Sequence, residues 1–311
     1  MNPYWDVYKN SNNSKKDQFR FNGKVVWNIT QHLKIQGTAG AELNWFTFED
    51  YKAPTTPGYE SGYLQNNNFR NRMYNFELLA LYNNSWGDFD FNATLGGNLY
   101  KVNNQTIVTT AKDMKIRDVV ALMSFNEVSV EPYSYRKQIN SVYGAVNLGW
   151  KHMLYFDATL RGDQSSTLPI SNNMYIYPSF SGSFVFSELL KLGDKLPYGK
   201  VRMSWAQVGS DTDPYQLGLV YTKSKFAYPG YTIGYISNGT IPNKDLKPTK
   251  TNSFEMGLEL KFLKNRIGLD FTYYSQLSKN QIMGMASSST SGYGYRLINA
   301  GEIENKGVEI A

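Results

Sequence analysis

The chain has 311 residues, 41% of them hydrophobic, 15% aromatic and 19% charged, with a formal net charge of +6. This much aromatic content with so little charge excludes an intrinsically disordered chain. No cysteine is present, which removes disulfides, thiolate metal sites and cysteine nucleophiles, and only two histidines, His32 and His152, remain for imidazole chemistry. Lys and Arg are scattered rather than clustered, so the positive charge does not read as a nucleic-acid interface. No run of about 18 apolar residues exists to form a transmembrane helix.

The first seventeen residues, MNPYWDVYKNSNNSKKD, are polar and lack the apolar stretch of a signal peptide. After them, apolar and polar residues alternate with period two, the signature of strands with one apolar face. Strands are predicted near 18–29, 33–46, 70–83, 88–102, 138–150, 153–164, 175–187, 199–209, 250–262 and 266–277, with an eleventh starting at 305. In the fourth, Phe89, Phe91, Ala93, Leu95 and Leu99 oppose Asp88, Asp90, Asn92, Thr94 and Asn98. In the ninth, Phe254, Met256, Leu258, Leu260 and Phe262 oppose Glu255, Gly257, Glu259 and Lys261. The pattern blurs only at Phe184–Val185–Phe186, which fits a strand whose inner face touches protein.

Connections alternate between short, near 30–32, 84–87, 151–152, 188–198 and 263–265, and long, over 47–69, 103–137, 165–174, 210–249 and 278–304. In an up-and-down antiparallel sheet every second connection lies at the same end. All long loops therefore gather at one end, as in outer-membrane barrels with short periplasmic turns and long extracellular loops. The polar rows hold too many charges for a packed soluble core, so the apolar face is expected to meet lipid. Aromatic residues near strand ends, such as Trp27, Trp45, Trp150, Trp205 and Tyr273, suit interfacial girdles. The chain ends within an alternation, NKGVEIA, and is read as an internal piece of a longer protein.

Candidate chemistry is sparse. Asp163, Ser165 and Ser166 have no histidine nearby in sequence and read as a strand-to-loop cap. Asp211, Asp213 and Glu188 do not match a calcium loop, and neither histidine has a second ligand at a recognisable spacing, so no metal, cofactor or catalytic residue is assigned. Gln65–Asn68 and Ser287–Ser291 read as loop tips without specific chemistry. The loop 210–249 carries Tyr215, Tyr221, Phe226, Tyr228, Tyr231 and Tyr235 among Gly and polar residues. Such rings can pack the loop or stack on sugars and peptides. Tyr228, Tyr231 and Tyr235 are the candidate substrate-binding residues.

Several blocks resemble the SusC/RagA family of TonB-dependent outer-membrane transporters. They are NPYW at Asn2–Trp5, RGDQSSTLP at Arg161–Pro169, YPSFSGSFVFSE at Tyr177–Glu188, KVRMSWAQVGSDTDPY at Lys200–Tyr215, IPNKDLKPTKTNSFEMGLELKFLKNRIGLDFTYY at Ile241–Tyr274, NQI at Asn280–Ile282, and NAGEIENKGVEI at Asn299–Ile310. Gln164 and Thr249 stand where the family commonly has Trp and Glu. The resemblance implies an all-β fold, an antiparallel up-and-down transmembrane β-barrel segment of about 11 strands from a barrel of about 22, without the plug domain. It implies TonB-dependent import of oligosaccharides or peptides across the outer membrane, with a SusD-like lipoprotein and the TonB–ExbB–ExbD complex as partners and no bond-breaking activity. Without a plug, the chain alone is expected not to transport. The rival readings are a passive porin, a secreted β-sandwich or propeller adhesin that binds glycans, and a barrel enzyme. A propeller predicts repeats of 40–50 residues, and none is visible.

Overall fold

In the computed structural model the described residues are 3–190, 193, 196–224, 230–231, 233–236 and 239–311. Eleven antiparallel strands form one sheet. They are β1 (Ser11–Asn28), β2 (Leu33–Lys52), β3 (Tyr63–Trp86), β4 (Phe89–Met114), β5 (Phe125–Trp150), β6 (Leu154–Ser165), β7 (Met174–Phe184), β8 (Tyr198–Ser210), β12 (Thr249–Phe262), β13 (Ile267–Lys279) and β16 (Glu302–Ile310). Their order in the sheet is their order in sequence, the up-and-down arrangement. Two small sheets sit in the long connections. One pairs β9 (Tyr221–Lys223) with β10 (Gly234–Ile236), and the other holds β11 (Thr240–Ile241), β15 (Tyr295–Asn299) and β14 (Ile282–Ala286).

All eleven predicted strands are present, but β2 to β5 run to 20, 24, 26 and 26 residues. The stretches 47–69 and 103–137 are therefore mostly strand, with connections of only 53–62 and 115–124. Outside hydrocarbon a strand can carry polar residues on both faces, which erases the alternation that identifies it. At Phe184–Phe186 the blurred pattern has a different cause from the one expected: β7 ends at Phe184 and a short helix, α2 (Phe186–Leu190), begins.

The chain divides into two compact units. One comprises Met1–Gly23, Thr38–Phe76 and Tyr100–Lys137, and the other Lys24–Gly37, Glu77–Leu99 and Gln138–Ala311. Within the first, residues Pro3–Lys9 form helix α1, in a stretch whose composition reads only as polar. Proline opens the helix, and Asp6 and Lys9 lie in its first and last turns, where each suits the helix dipole. Trp5 packs against a small core of Tyr51, Ala53, Leu64, Ala111 and Phe125. Its indole Nε1 donates to Thr56 Oγ1 at 3.0 Å, and Thr56 donates in turn to Asn10 Oδ1 at 3.0 Å. The NPYW block thus pins the chain's entry to the far end of β2. Trp5→Phe keeps a ring but leaves the buried Thr56 oxygen short of a donor, and is expected to cost about 1 kcal/mol. Urea titration of the vesicle-refolded protein measures this; an unchanged midpoint would show that the indole hydrogen bond contributes nothing.

The second unit has its own core of Leu168, Tyr175, Leu246 and Leu297, joined by Leu217 and Ile282. This core lies among the long connections of its unit. Along the unit's strands the apolar rows stay open: Leu95, Val142, Leu148, Phe156, Leu160, Phe180, Met203, Met256 and Phe271 are all exposed. In register they form a continuous surface, with Val146 opposite Ala158 and Ala158 opposite Phe180, which stacks on Trp205 at 6.1 Å. A sheet this apolar on its open face is built for a hydrocarbon solvent.

Candidate functional site

The opposite face of the second unit is a ladder of polar side chains. Asn92 Nδ2 donates to Asn147 Oδ1 at 3.1 Å, Asn147 donates to Asp157, and Ser181 Oγ donates to the other Asp157 oxygen at 2.9 Å. These four residues form one row across β4, β5, β6 and β7. A second row joins Tyr143, which donates its hydroxyl to Glu77, with the Arg161 guanidinium 5.1 Å above its ring. Arg161 donates to Asp163 Oδ1 and Ser141 Oγ, both at 2.9 Å, and Tyr177 donates to Asp163 Oδ2. Farther along, Arg202 forks onto Asp270 at 2.9 and 2.8 Å and onto Thr272 at 2.7 Å. Bidentate pairing on a face open to water neutralises charge and orders the wall. What it presents is a surface of hydroxyls, amides and compensated ions.

The motif blocks converge at the long-connection end. Ser165 and Thr167 both donate to Asp211 Oδ2, and Thr167 N–H donates to Ser165 Oγ at 3.3 Å. Ser166 Oγ accepts from Gln138 N–H at 2.9 Å. Ser165 therefore caps local backbone, as expected, whereas Ser166 holds a backbone N–H 28 residues away. Asp163 bonds no local backbone; it serves Arg161 and Tyr177. Leu246 of the DLKP block is fully buried. Asn299 clamps that block, accepting from Lys247 N–H at 2.8 Å and donating to Lys247 O at 2.7 Å and Asn280 O at 3.0 Å. These blocks form the frame on which the loops stand.

Glu188 lies on α2, before β8, and Asp211 follows its far end, so the 13-residue strand separates them. No group of three His, Asp or Glu side chains placed to hold a metal occurs among the described residues. His32 and His152 sit in short turns, facing solvent; His152 and Lys151 both take the left-handed conformation, at φ 53° and 52°.

Of the three candidate tyrosines, Tyr228 lies outside the described residues. Tyr231 is exposed, and Tyr235 is exposed on β10 opposite Thr222. Sequence reasoning missed a neighbouring cleft of about 330 Å³, lined by Tyr215, Gln216, Thr240, Pro242 and Tyr295. Tyr295 comes from the connection 280–301, and only the parallel pairing of β15 with β11 brings it beside Thr240. Local pattern carries no signal for that contact.

The family model described as "TonB dependent receptor-like, beta-barrel" matches residues 1–311. TonB-dependent receptor P3 of Formosa agariphila is 25% identical over 324 residues, covering 100% of this chain and 32% of that protein. TonB-dependent receptor SusC of Bacteroides thetaiotaomicron is 24% identical over 345 residues, covering 100% of this chain and 33% of its own. Among solved structures, the RagAB peptide transporter superposes with a TM-score of 0.89 at 20% identity, over 99% of this chain and 35% of that one. This chain thus spans about a third of the length of the relatives it matches. With its up-and-down sheet, open apolar rows and motif blocks in order, the chain belongs to the TonB-dependent receptor β-barrels of the bacterial outer membrane, in their SusC/RagA group.

Proposed function

We propose that this chain is part of the wall of an importer that takes up oligosaccharides or peptides, driven by the TonB–ExbB–ExbD complex and served by a SusD-like lipoprotein on its extracellular loops. The observation that carries the reading is the two-faced sheet: a lipid-facing surface on one side, and on the other a wall of paired polar groups that a hydrated solute can pass. Tyr228, Tyr231 and Tyr235 contact substrate in this reading. Exposed rings on a long extracellular loop offer stacking faces and hydroxyls, and two of the three are exposed here. A passive porin lacks the energy requirement. No bond-breaking step is assigned, because Ser165 and Thr167 are engaged with Asp211, and Asp163 with Arg161 and Tyr177.

The test is uptake by cells carrying the gene, a deletion strain and a strain lacking TonB, each given fluorescent oligosaccharides or peptides longer than a porin admits. Accumulation is expected only in the first. Uptake that survives loss of TonB would replace the importer with a porin. Removing all three tyrosine rings is expected to lower uptake at least fivefold at limiting substrate; unchanged uptake would remove them from the site.

A further inference from the structure

A groove of about 520 Å³ is cut into the apolar face of the second unit. Small residues make it: Ala80, Ala93, Gly144 and Ala158 line it from the successive strands β3, β4, β5 and β6. Asn92 bonds Asn147 on the polar face, which sets Ala93 beside Val146 on this one. Val146 in turn stands opposite Ala158, and Gly144 opposite Leu160. Small and large side chains therefore alternate along the rows, and the small ones join into a path one side chain wide. Its floor is the backbone at Thr94, Ala145 and Thr159. These residues point to the other face, where the Thr159 hydroxyl is bonded to Ser179. The walls cannot fold inward to fill the gap. Phe180 at the far end is stacked on Trp205 at 6.1 Å, and the ring of Pro178 is fixed to its own backbone. The same face of β8, β12 and β13 has no such path, because Trp205 stands opposite Phe254, Met203 opposite Met256 and Met256 opposite Tyr273.

We infer that this groove seats one acyl chain of a phospholipid from the periplasmic leaflet. It continues the lipid-facing surface already described, so hydrocarbon is the solvent at its mouth, and the inference stands whatever the receptor imports. Width decides which apolar occupant fits. Residues two apart on a strand are about 7 Å apart, so a path one side chain wide admits a methylene chain. It excludes a transmembrane helix, about 10–12 Å across. An empty path forfeits dispersion contacts along its floor and walls. A chain that enters recovers them, through the close approach to backbone that small residues permit in a membrane. The leaflet follows from where the groove begins. Leu33, the first residue of β2 after a short turn, lines one end, and short turns are periplasmic. From β3 to β6 the path crosses three strand spacings, about 14 Å, within the span of a single chain entering there. Such a chain leaves one apolar surrounding for another, so the hydrophobic effect contributes nothing and contact alone retains it. Enrichment of several fold over the rest of the face is the expected scale.

Photo-crosslinking in the native membrane tests this. Cells carrying the gene are grown with a fatty acid that bears a diazirine midway along its chain, their outer membranes are irradiated, and adducts on the receptor are mapped by mass spectrometry. Adducts over 144–146 and 158–160 are expected to be at least fivefold more frequent per residue than over 203–205 and 254–258 of the same face. Their mass is expected to be that of a phospholipid. Ala93→Leu combined with Ala158→Leu fills the path and is expected to bring the two regions level, with an unchanged urea midpoint because both leucines face lipid. Ala158→Gly leaves the path open and is expected to keep the enrichment, so a change of target residue is not mistaken for a lost site. Even labelling in the unaltered receptor, or enrichment that survives filling, would overturn the inference. So would lipopolysaccharide as the adduct, which would place the chain in the other leaflet. Labelling scarcer in the groove than elsewhere on the face would mean that another protein covers it, and would overturn the inference as well.

Discussion

Leu160→Arg is expected to destabilise the folded barrel by about 1–3 kcal/mol, while Thr159→Arg, one residue away, costs less than about 1 kcal/mol. The difference follows from which solvent each side chain meets. Leu160 is exposed on the apolar face, opposite Gly144 on β5 and Pro178 on β7. Thr159 points the other way and shares a hydrogen bond with Ser179 on the polar face. Leu160 is eight residues beyond the short turn at His152, roughly 19 Å above it for a strand tilted about 45°. In an apolar band about 25 Å tall, about 6 Å of hydrocarbon lies beyond it, so an arginine there reaches the outer headgroups only when fully extended, with its stem in lipid. Neither small neighbour offers a partner. Urea titration in lipid vesicles measures both variants. Equal costs, or a larger cost at Thr159, would mean that the two faces have been assigned the wrong solvents, and the membrane reading would fall with them.

The same alternation explains how far sequence alone could go. Where a strand stands in lipid, every second residue must be apolar, and the eleven segments announce themselves: the strand predicted over 250–262 falls within a residue of β12. Beyond the membrane that rule lapses, so the outer halves of β4 and β5 read as loop although their backbones keep pairing. The motif blocks gave the family, but their physical job was hidden. Nothing in DLKP or NAGEIE says that Asn299 grips Lys247 from 52 residues away, or that Leu246 is the floor of a loop core. Gln65–Asn68 reads as a loop tip because polar residues on both faces erase the alternation, yet it lies inside β3. Tyr231 and Tyr235 are candidates because rings on a polar loop are visible in composition; Tyr295, beside Thr240, is not visible there, because only tertiary pairing brings it to that place.

Gly96→Ala is expected to cost about 1–3 kcal/mol, a large effect for one methyl group. A Cβ at this position would lie 2.5 Å from Tyr143 Cε2, 2.7 Å from its Cζ and 2.7 Å from Leu79 Cδ2. The tyrosine ring on β5 lies flat over the glycine on β4, a side chain filling the gap that its neighbour leaves. It cannot simply swing aside. Its hydroxyl is held by Glu77 on β3, and Arg161 on β6 lies against its face. Moving the ring therefore loosens four strands at once, and with them the row of compensated charge that a passing solute meets. Shortening the ring should relieve the clash. Tyr143→Leu alone loses the Glu77 hydrogen bond, but adding Gly96→Ala to it should cost less than about 0.5 kcal/mol more. The double-mutant cycle, read from urea midpoints in vesicles, decides the matter. Strictly additive costs would show that Gly96 is absent of side chain for some reason other than Tyr143. A coupling of about 1 kcal/mol or more would identify the ring-over-glycine contact as the lock that holds the polar wall in register.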